Sequence, residues 1–239
     1  MTVEILFSEV CSLYGDSQNP EYLKATLPEA EFIYTSLLDE PYFKDNTPDL
    51  IYMGGMSENT QRRVIAKLLP YKGRIEEMID NGVPFLATGN AAEVFTKHIS
   101  YVTEETETYG LGIFDFTVKT DLFKRNNGKV LGETDGLEIV GFRSSFSFIY
   151  GDNSDCHFLK VIRGDGINKE SKLEGIRKNN FIGTSLLGPI LPLNPLFTEY
   201  FISLAGVKAE AAYKHAAMAA YNQRLSEFKD PKTVFGNNH

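Results

Sequence analysis

The first hundred residues alternate short apolar runs with segments of helical period. Val3-Glu4-Ile5-Leu6-Phe7 reads as a buried strand, followed by loop chemistry from Ser12 to Pro20. A helix is expected from Pro20 to Leu27 and a second strand from Ala30 to Leu37. Asp49 to Met53 reads as a third strand, ended by Gly54-Gly55. Glu58 to Leu69 and Gly73 to Asn81 carry helical period, and Asn81-Gly82 is a stop signal. Val83 to Ala87 reads as a strand that turns through Thr88-Gly89-Asn90 into a helix from Ala91 to His98. Strands alternating with helices predict parallel βαβ units.

The middle of the chain changes character. β-branched and aromatic residues dominate from Gly110 to Val161, broken by Gly and Asn-Gly pairs. Strands are expected at Phe114 to Thr120, Lys129 to Glu133, Leu137 to Phe142 and His157 to Ile162, with a hairpin turn at Asn126-Asn127-Gly128. Asn180 to Thr184 is a last strand, before a Pro/Gly-rich loop from Gly188 to Pro195. Helices follow at Pro195 to Leu204 and Val207 to Phe228, the second with an apolar stripe through Ala212, Ala216, Ala219, Leu225 and Phe228. The polar tail after Lys229 is expected to fray. No linker interrupts the pattern, so residues 1–239 read as one domain, with residues 207–239 as its C-terminal helix and tail. The fold class is α/β: an open, mostly parallel sheet flanked by helices, with an antiparallel β extension.

Composition narrows the function. The formal charge of −8 disfavours a nucleic-acid surface, which needs clustered Lys and Arg. No apolar run is long enough to span a membrane, and the N-terminus lacks the pattern of a signal peptide. Two cysteines, Cys11 and Cys156, exclude a disulfide framework or a four-cysteine zinc site. A cytoplasmic protein without metal or cofactor is the expectation, and the lack of a GxxxxGK[ST] motif removes a P-loop.

The candidate chemistry gathers at the turn after Ala87. A buried strand that turns abruptly into a helix projects one side chain above the sheet, beside backbone N–H groups. Thr88 is assigned that projecting position. Gly54-Gly55 suits an oxyanion or a carboxylate, or is a plain tight turn. Asp16 lies beside the pocket or caps a helix, and Arg143 is a cation of the pocket or of the surface.

Several motifs in order carry a resemblance. Leu13-Tyr14-Gly15-Asp16, Asp49 to Gln61 with its Gly54-Gly55, Tyr109 to Asp115, Ile139 to Phe142, Gly164 to Asn168 with Glu174-Gly175, and Gly183 to Pro195 stand in sequence. The chain resembles the class I glutamine amidotransferases, in the branch typified by cobyric acid synthase and the amidotransferase subunit of lipid II isoglutaminyl synthase. The resemblance implies the flavodoxin-like fold of that family. It also implies a glutamine-hydrolysing site with a cysteine at the elbow, a histidine as proton carrier and backbone oxyanion donors. Here Thr88 stands at the cysteine position and Leu187 at the histidine position, while Arg143-Ser144-Ser145 replaces an acidic, histidine-containing stretch. His98, His157, His215 and His239 match no catalytic position.

The expectation is therefore a relative that has lost hydrolysis. It would bind a glutamine-like ligand through Gly54, Gly55, Gly89, Asn90, Asp16 and Arg143, or serve as a partner subunit. A Mur-ligase-like synthetase is the first candidate partner, and a homodimer through the C-terminal helix is the other. Two alternatives stay open: altered chemistry in the same pocket, using Thr88, Glu93 or Cys11, and a purely structural interaction protein.

Overall fold

The computed structural model describes residues 1–102 and 107–236. Five strands build the central parallel sheet: β1 (Thr2–Leu6), β2 (Glu31–Thr35), β3 (Leu50–Met53), β4 (Phe85–Thr88) and, much later, β14 (Phe181–Thr184). Helices α1 (Gln18–Thr26), α2 (Glu58–Leu68) and α3 (Lys72–Asp80) connect the first four. Their spatial order is β2-β1-β3-β4-β14, the flavodoxin-like order, in which ligands gather beyond the carboxyl ends of the strands. β13 (Ile176–Lys178) adds an antiparallel edge beside β14.

Period-two alternation explains why the sheet is covered twice. Ile51, Met53, Phe85, Ala87 and Phe181 face one core with Val64, Leu68, Ile75 and Met78 of α2 and α3. Val3, Ile5, Leu50, Tyr52, Leu86 and Ile182 face the other. There they meet α1 and α5 (Pro195–Ser203), which follows the one-turn α4 (Ile190–Leu193).

The β extension forms two further four-stranded sheets. One comprises β5 (His98–Tyr101), β6 (Thr108–Tyr109), β7 (Thr117–Thr120) and β10 (Ser147–Tyr150). The other comprises β8 (Asn126–Thr134), β9 (Leu137–Ser145), β11 (Leu159–Arg163) and β12 (Leu173–Glu174). The extension is not wholly antiparallel, because β5 pairs with β7 in parallel.

Several local expectations are corrected. Asn126-Asn127-Gly128 is no turn; it opens β8 and pairs with Arg143 to Ser145. The hairpin reverses at Asp135-Gly136, where both residues have positive φ (48° and 78°), as a two-residue primed turn requires. Residues 91–98 do not form an α-helix. Gly89–Phe95 is a 3-10 turn, and His98 begins β5. The carbonyls of Val94, Phe95, Thr96 and Lys97 accept from the loop at Gly110 to Phe114, so no α-helical ladder can use them.

The last helix, α6 (Lys214–Lys229), starts later than residue 207. The amides of Ala211 and Ala212 are taken by Glu199 and Thr26, and Tyr213 is left-handed at φ 53°. Its buried side chains are Tyr221 and Phe228, packed on Leu131 and Val140, whereas Ala216 and Ala219 are exposed. Nor does the tail fray through Gly236. Arg163 donates to the carbonyls of Phe228, Asp230 and Thr233, and its guanidinium lies 4.1 Å from the Phe235 ring centroid. Lys129 N then donates to Phe235 O at 2.7 Å. His239 lies outside the described residues.

Removing three charge-assisted bonds should be felt locally. Arg163→Ala is expected to cost about 2 kcal/mol, read by denaturant unfolding, and to speed amide exchange at Lys129. Unchanged exchange at Lys129 would show that the tail holds without this clamp.

Candidate functional site

The sheet's carboxyl edge is organised around a buried carboxylate. Asp16, fully buried after the 3-10 turn Leu13–Gly15, accepts from Thr88 Oγ1 at 2.6 Å and from Gly55 N at 2.9 Å, both at Oδ2. Its Oδ1 accepts from Asn19 Nδ2 at 3.3 Å. Asn19 also donates to Tyr52 Oη at 2.8 Å, and Tyr52 Oη lies 3.0 Å from Thr88 Oγ1. Asn19, Tyr52 and Thr88 are likewise sealed from solvent. Burial pushes the Asp16 carboxyl up from 3.8 to about 6, although its hydrogen bonds pull the other way.

This network decides which residue projects at the turn. Thr88 is extended (φ −109°, ψ 152°), pairs with Thr184 in the sheet, and spends its hydroxyl inward on Asp16 and Tyr52. Gly89 has φ +60°, the conformation that a strained strand-to-helix turn imposes on its apex. A Cβ at Gly89 would stand 2.9 Å from Leu187 Cδ2 and 3.3 Å from Gly55 Cα. The apex therefore points at Leu187, which a backbone bridge to Phe142 holds in place (2.7 and 3.2 Å).

Above the apex lies a cavity of about 200 Å³. Of the predicted site residues, Gly55, Gly89, Asn90, Glu93 and Leu187 line it. Asn90 clamps the turn to the Gly-Gly loop: its Oδ1 accepts from Met56 N at 2.9 Å and its Nδ2 donates to Met56 O at 2.8 Å. Asp16 and Thr88 lie beneath the lining. Gly54 also lies outside it and serves close approach, since a Cβ there would sit 2.3 Å from Cys11 O. None of the described lining residues is Cys or His.

Arg143 is neither a pocket cation nor a surface one. It is buried and fixed to Ser185 Oγ (2.6 Å) with Glu174 Oε1 3.9 Å away, and it lies outside the cavity lining. Cys11 is buried, 3.8 Å from Met56 Sδ, and burial pushes its thiol up to about 12, which disfavours the thiolate a nucleophile needs.

The sequence singled out Ser144 and Ser145 but not the rest of the outer wall, which comes from the β extension. Ser144, Ser145, Phe146 and Ser147 line the cavity, as does Arg125, whose guanidinium stands over the rings of Phe146 (4.3 Å) and Tyr14 (5.5 Å) and bonds to Tyr14 Oη. No local signal marked Arg125, because β7, β8 and β10 had to be placed before it could reach Tyr14. Glu93 is buried, accepts from Gln61 Nε2 at 2.9 Å and bonds Ser147 Oγ at very short range. Desolvation, with Glu58 nearby, pushes its carboxyl up from 4.5 to about 7. Among the described residues, no group of His, Cys, Asp and Glu is placed to hold a metal ion, and no helix is long and apolar enough to cross a membrane.

The fold and the elbow define a class. Two solved structures superpose: a glutamine amidotransferase (TM-score 0.57, 16% identity, 85% of this chain and 99% of that one) and PurLQS from Thermotoga maritima (TM-score 0.54, 11% identity, 94% and 98%). Both share this chain's fold, and the first is a glutamine amidotransferase. Residues 2–194 match the CobB/CobQ-like glutamine amidotransferase domain, and the chain belongs to that family.

Two curated relatives are both named lipid II isoglutaminyl synthase (glutamine-hydrolyzing) subunit GatD. The Staphylococcus aureus (strain N315) protein is 35% identical over 159 residues, 66% of this chain. The Streptococcus pneumoniae (strain ATCC BAA-255 / R6) protein is 24% identical over 238 residues, covering 95% of this chain and 88% of the relative. The chain spans 63% of the length of the S. aureus relative in that match.

The buried carboxyl sets a pH dependence. Asp16 holds its proton in the folded state up to about 6 but loses it near 3.8 when unfolded. Stability is therefore fully present below about pH 4 for this group and declines as pH rises toward 6, by on the order of 3 kcal/mol. Asp16→Asn should flatten that slope in urea titrations from pH 4 to 7. Asp16→Ala should cost about 2–4 kcal/mol, because Gly55 N, Thr88 and Asn19 lose a buried partner.

Proposed function

We propose that the chain is a non-hydrolytic, glutamine amidotransferase-like subunit, cytoplasmic, binding a small amino-acid-like ligand in the cavity above Gly89. Residues 1–239 act as one amidotransferase-like unit. The partner that fits this reading is a Mur-ligase-like synthetase, since both curated relatives are named as subunits of a lipid II isoglutaminyl synthase.

One observation carries the reading: the turn's apex is a glycine, and Leu187 occupies the space where an apical side chain would begin. The family's hydrolysis needs a thiolate at such an apex and a proton carrier beside it. Gly89 offers no nucleophile, and the neighbouring residue is a hydrocarbon. The cysteine position is then Gly89 rather than Thr88, and Leu187 keeps its assignment opposite it. Of the groups considered for altered chemistry, Thr88 and Cys11 are buried away from the cavity, which leaves Glu93 as the titratable group facing it.

Ammonia release from glutamine tests this. The wild-type chain is expected to give none above background. Thr88→Cys with Leu187→His should stay inactive, because a side chain at 88 points to Asp16 and Tyr52. Gly89→Cys with Leu187→His should gain measurable turnover. Hydrolysis by the wild-type chain would overturn the reading.

A further inference from the structure

The central sheet ends in a strand that nothing covers. β2 pairs with β1, and its other edge carries no strand among the described residues. The opposite end of the sheet is blunted: β13 is three residues long, ends in Lys178, and gives the Arg177 amide to Cys156 O. Glu31–Thr35 has no such device. It contains no Pro, Lys or bulge. Tyr34, and Leu38 just beyond the strand, are 43% and 86% exposed.

Backbone parity shows which groups of this edge are free. Glu31 N donates to Met1 O and Thr35 O accepts from Phe7 N, so Glu31, Ile33 and Thr35 turn their amides and carbonyls toward β1. Phe32 and Tyr34 therefore turn theirs outward, two donors and two acceptors in a row. Their neighbours do not extend the row. Ala30 N donates to Leu27 O, and Ser36 N turns to Asp39 Oδ2 at 3.4 Å.

A second copy of the same edge satisfies this row in one register. Laid antiparallel about a two-fold axis through Ile33, Phe32 exchanges both bonds with Tyr34 of the second copy, and Tyr34 does so with Phe32. All four outward groups of each chain are then paired. Centring on Phe32 or on Tyr34 would set one of these residues against Ala30 or Ser36, whose amides are spent. The side chains agree with the first register. Phe32 stands across from Tyr34 on the α1 face, Ile33 across from itself on the other face, and Glu31 across from Thr35. Two aromatic pairs and an aliphatic pair meet, and no like charges do.

We infer that the chain associates with a second copy through the β2 edge, joining two central sheets into one. The contact differs from a pairing through the C-terminal helix, whose Tyr221 and Phe228 are already packed on Leu131 and Val140. It is also independent of what the cavity binds. Five residues of each strand take part, so association is weak and depends on concentration. Each chain carries a charge of −8, so added salt strengthens it.

Sedimentation equilibrium of the whole chain over a wide range of concentration, with amide exchange at both ends of that range, tests the inference. The mass should rise from one chain toward two. The Phe32 and Tyr34 amides should slow with the paired fraction, about tenfold once nine-tenths of the chain is paired, while those of Ile33 and Thr35, bonded to β1 throughout, should change little. Ile33→Lys should weaken association about tenfold, since two ammonium groups would meet at the axis. An equimolar mixture of Ile33→Lys and Ile33→Glu should pair again. In a Cys156→Ser background, Ile33→Cys should cross-link on mild oxidation, because a non-hydrogen-bonded antiparallel pair stands about 4.5 Å apart at Cα, within disulfide reach. Glu31→Cys, four positions out of register with itself, should not. A chain that stays monomeric at its highest concentration, a dimer whose Phe32 and Tyr34 amides exchange as in the monomer, or cross-linking of Glu31→Cys as readily as Ile33→Cys would overturn the inference. Should a variant fail to fold, the mass and exchange of the wild-type chain decide. None of these outcomes bears on hydrolysis, which ammonia release tests.

Discussion

The carboxylate of Asp16 ties three chain segments into one structure. It joins the loop after β1, the Gly-Gly turn after β3 and the last residue of β4 through hydrogen bonds of 2.6 to 3.3 Å. A buried acid is costly unless its partners are in place, so these segments are held in one arrangement or the acid stays protonated. The consequence reaches the site directly. With Thr88 turned inward to Asp16, the next residue must make the reversal, and Gly89 does so at positive φ. The apex of the elbow is thus set by an interaction beneath it.

The cavity above depends on a second, separate constraint. Its outer wall is built by the β extension, and Ser147 reaches Glu93 only because β10 pairs with β7 beside the 3-10 turn. Arg143, expected at the ligand, instead stands buried beside Glu174, and the two hold Ser185 between them. The charge is spent on construction, and the exposed cation at the mouth is Arg125. Leu187 completes the picture. It is fixed by the bridge to Phe142, so an apolar side chain sits against the apex as a permanent part of the wall.

Much of this was legible in the sequence where the signal was local or strongly periodic. β1, β3, β4 and β14 are short apolar runs, and α2 has a clean apolar stripe; each was placed within a few residues. The ordered motifs from Leu13 to Pro195 named the family. Errors arose where a distant segment overruled a local preference. Residues 91–98 look helical, yet the loop at Gly110 to Phe114 claims their carbonyls. Asn126-Asn127-Gly128 looks like a turn, yet pairing with Arg143 to Ser145 draws it into a strand. The polar tail looks loose, yet Arg163 pins it.

The sequence by itself determined the fold class, the strand-turn at residues 85–90, and the absence of Cys at 88 and 89 and of His at 187, because these follow from residue identity and hydrophobic period. Only the tertiary structure decided that Gly89 rather than Thr88 is the apex, that Asp16 and Arg143 are internal, and that Glu93, Ser147 and Arg125 face one cavity. The reason is geometric. The direction of a side chain at a turn is fixed by the φ of that residue and by the hydrogen bonds of its neighbours, and those neighbours lie 36 and 72 positions away along the chain.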